Sequence, residues 1–185
     1  MHPVLKSALD PLAKQITTLT VDEAQIQPLP GLGRWSAQQI LEHLILTYQL
    51  TSDSVGHQLR TGRVPPNRRN VLEFMLRVQT ISFGFMPDGV PAIHAFRPRE
   101  FSPESGPAIA ARFLLAAEEM DKLLVAARRK FGIQICGEHP SFGVMRVDEW
   151  RRYHAIHAGH HIKQLQSAIK YAKAQKIAPK DTAIA

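Results

Sequence analysis

The chain reads as an all-α protein, a single domain over residues 1–185 built from four substantial helices, one short extra helix and long connectors. Three observations predict this. Apolar residues recur at helical spacing over four long stretches, no stretch alternates apolar and polar residues as a half-buried strand would, and no segment repeats. A domain of this length can bury roughly 70% of the surface of its unfolded chain, enough for a sizeable core.

From about Pro3 to Leu19, the residues Val4, Leu5, Leu9, Leu12, Ile16 and Leu19 keep helical spacing. Pro11, in the middle, is the point where this helix is expected to kink or divide. Gln27 to Arg34, dense in proline and glycine, is a connector. Ser36 followed three residues later by Gln39 makes a capping box and starts a second helix running to about Leu59. Its apolar face is Ile40, Leu41, Leu44, Ile45 and Tyr48, and His43 stands at the edge of that face. After a loop from Thr61 to Asn67, a short helix from Arg69 to about Phe83 carries Val71, Leu72, Met75, Leu76 and Val78. Residues 84–103 are a long irregular segment of the kind that forms a lid or rim, or simply crosses the surface. Ser102-Pro103-Glu104 signals the next helix, proline being favoured at the first helical position. Its periodicity from Ile109 to Leu124 carries it to about Lys130. Ile133 to Pro140 is a connector with room for a short extended piece. The last helix starts near Val147 or Asp148 and reaches about Gln175, leaving a frayed tail from about 176.

Lysine and arginine outnumber aspartate and glutamate by 23 to 16, a net charge of +7. The excess is scattered rather than gathered into a basic stripe interleaved with aromatics, so a solvated surface explains it better than nucleic-acid binding. The single cysteine, Cys136, excludes an internal disulfide and a CxxC zinc site. The amino terminus lacks an apolar signal segment and no apolar run approaches membrane-spanning length, which leads to the expectation of a cytoplasmic protein with no membrane role.

The chemistry concentrates in the last helix. Four of the nine histidines fall between His154 and His161. At about 100° per residue, Trp150, His154, His157, His161, Gln164 and Ala168 share one stripe, flanked by Val147, Ala158, Leu165 and Ile169. The histidines therefore point towards the core, while His160 is rotated off the stripe. A buried imidazole needs a partner. Spacing leaves two readings open: core histidines hydrogen-bonded to carbonyls or carboxylates, or a His157–His161 pair one turn apart that shares a transition metal.

Arg34-Trp35-Ser36-Ala37 with Leu41-Glu42-His43-Leu44, and Tyr153-His154-Ala155-Ile156-His157-Ala158-Gly159-His160-His161-Ile162-Lys163-Gln164, resemble the DinB-like superfamily of metal-binding four-helix bundles. His139-Pro140-Ser141-Phe142-Gly143 and Glu149-Trp150 resemble a branch of that superfamily without an assigned activity. The similarity covers most of Trp35 to Gln166 and is diffuse outside the two blocks. It implies a three-histidine site formed by His43, His157 and His161, recruiting a residue that periodicity leaves at the margin. His154 and Gln164 are then candidates to support the ligands or handle protons, with Glu42 a weaker one because it points away from His43 on a helix. Zinc suits three neutral imidazoles best, and nickel, iron or manganese could also occupy the site. The resemblance further implies a homodimer and three functional readings. The first is a metal-dependent hydrolase or a transferase using a low-molecular-weight thiol. The second is a non-enzymatic, stress-associated protein with a structural or sensing metal. The weakest is a DNA-associated protein.

Overall fold

The computed structural model describes residues 1–28, 34–64, 66, 70–87, 89, 92–98, 102–132 and 135–177, with the side chains at 135, 176 and 177 excepted. The fold is mostly helical, with one small two-stranded sheet. Helices α1 (Pro3–Ile16), α2 (Val21–Gln25), α3 (Ala37–Thr61) and α4 (Val71–Arg77) come first. A π-helical turn (Val78–Ser82) and a short 3-10 turn (His94–Phe96) follow. Helix α5 (Gly106–Phe131), strands β1 (Ile135–His139) and β2 (Gly143–Arg146), and helix α6 (Val147–Ile177) complete the order. Residues 29–33 of the connector, parts of segment 84–103 and the tail beyond 177 lie outside the described residues.

The long helices α1, α3, α5 and α6 pack on one another around a shared apolar cluster. Leu5, Leu9 and Leu12 of α1, Leu41 and Leu44 of α3, Phe113 and Met120 of α5, and Trp150 and Leu165 of α6 all belong to it. The predicted boundaries hold where a cap defines them. Ser36 and Gln39 form the expected capping box at the start of α3. Helix α6 starts at Val147, where Glu149 reaches back to accept the Arg146 backbone N–H at 2.9 Å.

Several expectations need correction. Pro11 lies inside an unbroken α1, on its exposed face, where water can reach the carbonyl left without a donor. The chain leaves the helix at Thr17 instead, because Thr20 and Glu23 make a second capping box that opens α2. Helix α5 starts at Gly106 rather than at Pro103. The Gly106 N–H donates to the Leu19 carbonyl at 3.0 Å, and a Cβ at Gly106 would sit 1.9 Å from the Ile16 carbonyl oxygen. The helix start is thus pressed onto the α1–α2 turn at a contact that only glycine permits. Helix α4 exposes its apolar residues, with Val71, Leu72, Phe74 and Met75 all more than half accessible.

A hairpin also stands where the sequence shows only a connector. Strands β1 and β2 pair antiparallel, with an irregularity between Ile135 and Glu138. Their lengths, five and four residues, are too short to display alternation. Part of their backbone is satisfied by helix side chains: the Gly137 N–H donates to Gln58 Oε1 at 2.6 Å and the Glu138 N–H to Ser54 Oγ at 3.0 Å. The Trp150 indole N–H donates to the Cys136 carbonyl at 2.6 Å. These bonds fasten the hairpin to α3 and α6, beside the histidines of the last helix.

Candidate metal centre

His43 stands two turns into α3, and His157 and His161 stand one turn apart on α6. All three are buried, at 5% exposure each. One nitrogen from each lies within 4.8 Å of the others. The Nε2 of His157 is 3.1 Å from the Nε2 of His43 and 3.1 Å from the Nε2 of His161. Two tetrahedral ligands at about 2.05 Å from zinc would stand roughly 3.3 Å apart, so these separations are of first-shell size.

The proton inventory decides what the arrangement can be. The Nδ1 of His43 lies 2.6 Å from the Phe96 carbonyl oxygen, which can only accept, so Nδ1 carries the proton and Nε2 presents a lone pair. The Nδ1 of His161 donates in the same way to Gln164 Oε1 at 2.9 Å, leaving its Nε2 as a lone pair. His157 has one proton to place when neutral. On Nε2, that proton satisfies one of the two 3.1 Å contacts and leaves the other as lone pair against lone pair. On Nδ1 it satisfies neither contact and faces no acceptor, since the buried Nδ1 of His157 has no partner among the described residues. A second proton is opposed by the surroundings. Burial first, then the neighbouring His161 and His43, hold His157 well below the ordinary histidine range. Burial takes His161 down to about 3. Burial lowers His43 as well, against the opposing effect of its bond to Phe96. A cation accepts all three lone pairs at once, and neutral imidazole is the form that binds it. The three residues therefore fit a divalent metal.

Trp35, in the residue before the α3 cap, is half-buried, with its ring 4.9 Å from that of His43 and stacked 6.3 Å from that of His161. Tyr153 stacks on His157 at 5.4 Å. Gln164, on the same stripe of α6, is the side chain whose Oε1 lies 2.9 Å from His161 Nδ1.

His154 does not join the cluster. Its Nε2 meets Thr51 Oγ1 at 3.1 Å, and its ring lies among Tyr48, Tyr153 and Trp150, fully buried. A position one turn earlier on the same stripe looks down a different neighbour, α3 at Thr51 rather than at His43. Glu42 faces away, as expected, and is bound by Arg112, which also holds Glu104 at 2.7 Å. His160 is half-buried, its ring 5.1 Å from that of His161.

Sequence reasoning missed the Phe96 carbonyl, the packing of Trp35 and the burial of His139. A backbone acceptor carries no side-chain signature. Trp35 did stand in one of the recognisable blocks, directly before the cap that places His43. His139 sits in a strand too short to be read.

A family model described as "Protein of unknown function (DUF1569)" matches residues 112–168. The matched span holds His157 and His161 but not His43. No curated protein matches the chain. No solved structure matches it either.

Proposed function

We propose that this chain is a DinB-like four-helix bundle that holds one divalent transition metal, zinc foremost, through His43, His157 and His161, and works as a metal-dependent hydrolase or thiol transferase. The observation that carries the metal reading is the pair of 3.1 Å nitrogen contacts at His157, which one imidazole proton cannot satisfy. An ion held by three imidazoles keeps a coordination position for substrate or water, polarises a carbonyl and brings a water or thiol towards ionisation at neutral pH. The protein's own part is orientation: Phe96 fixes the ring of His43, Gln164 fixes that of His161, and Trp35 shields the cluster's flank.

A second reading, a metal that stabilises the fold, draws on one observation. The carboxylate nearest in sequence, Glu42, is committed to Arg112, and no carboxylate joins the cluster among the described residues. Removing the ion with a chelator, restoring zinc, and following both melting temperature and turnover of ester and electrophile–thiol substrates separates the two. Turnover that appears only with the ion supports the enzyme. A large thermal loss with no turnover in any metal form moves the assignment to the structural role.

A further inference from the structure

A cavity of about 140 Å³ lies between α3, α6, β1 and the His94–Phe96 turn. The buried rings of Phe96, Trp150 and Tyr153 line it, while exposed Leu50, Ala95 and Glu138 stand at its mouth. Each ring spends one face on a histidine: Phe96 stacks on His139, Trp150 on His154 and Tyr153 on His157. What each gives the cavity is therefore its other face or an edge. None of the three clustered histidines lines it.

The charge on this lining has one sign. Glu138 is its only ionised side chain, in a protein whose net charge is +7. The Glu138 backbone N–H is fastened to Ser54 Oγ at 3.0 Å, while the carboxylate has no hydrogen bond or ion pair among the described residues. His139 adds no positive charge at ordinary pH, since burial takes its imidazole down to about 4, and its buried Nε2 offers a ligand no surface. Thr47 Oγ1, Thr51 Oγ1 and the Trp150 indole already donate to the carbonyls of Leu44, Thr47 and Cys136. That leaves the Tyr153 hydroxyl, which has no hydrogen bond among the described residues and stays neutral because burial pushes the phenol up.

These groups discriminate between ligands. An anion would meet the Glu138 carboxylate with a single side-chain donor, Tyr153, to hold it. A neutral molecule would leave the carboxylate unused. A compact organic cation turns its charge to Glu138 and the Tyr153 oxygen and its carbon shell to the rings, which attract cations in their own right. In size the cavity compares with an engineered one of about 150 Å³ that binds benzene, room enough for a tetramethylammonium-sized group.

We propose that this cavity binds a small alkylammonium ion, held by the rings of Phe96, Trp150 and Tyr153 and selected by the Glu138 carboxylate at its mouth. Nothing in this needs an ion at His43, His157 and His161.

The two tryptophans make the test direct, because Trp150 lines the cavity and Trp35 lies against the histidine cluster. Tetramethylammonium, tert-butanol and pivalate offer similar compact, methyl-covered shapes as a cation, a neutral molecule and an anion. Each is titrated at constant ionic strength into metal-free, 15N-labelled full-length protein, and the two indole N–H resonances are followed, assigned with Trp35→Phe. Tetramethylammonium is expected to shift the Trp150 resonance saturably while Trp35 stays put. It should bind about two- to thirtyfold more tightly than tert-butanol, and pivalate more weakly than either. Glu138→Gln should weaken tetramethylammonium by about two- to fivefold and leave tert-butanol unchanged. Ala95→Phe, at the exposed mouth, should abolish binding of both. Absence of a saturable Trp150 shift, an equal shift of Trp35, or tert-butanol or pivalate binding as tightly as the cation overturns the proposal. So does a cation affinity that survives Glu138→Gln or Ala95→Phe unchanged.

Discussion

His43 donates its Nδ1 proton to the backbone carbonyl of Phe96 at 2.6 Å, tying helix α3 to a turn more than fifty residues later in the chain. The bond sets the tautomer of His43 and so aims the Nε2 lone pair at His157. Gln164 does the same for His161 through a removable side chain. Gln164→Ala is therefore expected to weaken zinc binding by about 10–100-fold, the usual cost of losing a partner behind a ligating histidine. Competition against a chromophoric chelator measures it, and one equivalent should still bind at saturation. An unchanged affinity would mean that Gln164 does not orient the ligand.

Acid should destabilise the metal-free protein. Burial takes His154 down to about 3 and His139 to about 4, against an ordinary value of about 6.5 for each in the unfolded chain. Below pH 6.5 the unfolded chain binds protons that the folded chain refuses. Stability is therefore greatest above that pH and falls as pH drops from 6.5 towards 4 and then 3, by up to roughly 1.4 kcal/mol per histidine per pH unit. Urea unfolding of chelator-treated protein between pH 7.5 and 5 measures the slope, and His154→Gln should make it shallower by one histidine's share, the other buried imidazoles keeping the rest. A stability independent of pH across this range contradicts the burial of these imidazoles as neutral groups.

The long helices were legible because their caps and spacing are local: Ser36 with Gln39 marks α3, and the histidine stripe places His157, His161 and Gln164 on one face of α6. His43 enters the sequence reading only through the resemblance, since its spacing sits at the margin of an apolar face. What escaped depends on tertiary contacts. Helix α5 begins at Gly106 because Ile16 and Leu19 press on it, and nothing near Gly106 in sequence announces that neighbour. The hairpin escaped because its backbone bonds run in part to Gln58 and Ser54 on α3. His154 shares the stripe with its neighbours but faces Thr51, a distinction that periodicity cannot make.

Asp121 and Arg151 form a buried ion pair at 2.8 Å, and Asp121 also accepts the His2 backbone N–H at 2.7 Å. Removing one partner strands a charge in the interior, so Asp121→Ala is expected to cost about 3–5 kcal/mol. The exposed pair Lys6–Asp10 is the control, and Asp10→Ala should cost about 1 kcal/mol or less. Urea midpoints for the two variants should differ accordingly. Similar losses in both would contradict the burial of the Asp121 pair.

Gly106→Ala places a methyl group 1.9 Å from the Ile16 carbonyl oxygen, a backbone atom that cannot swing aside. The start of α5 must move from the α1–α2 turn, at a cost of about 1–3 kcal/mol even though alanine is the better helix former. A melting temperature at or above that of the parent protein would show that the close contact does not exist.

If the imidazoles of α3 and α6 hold one cation as proposed, the protein carries that ion through purification. Mass spectrometry should find close to one equivalent of a divalent transition metal in the parent chain, and almost none in a His157→Ala, His161→Ala double variant that keeps its helical circular dichroism. Equal metal content in the two proteins, or none in the parent after growth and dialysis with zinc, would contradict it.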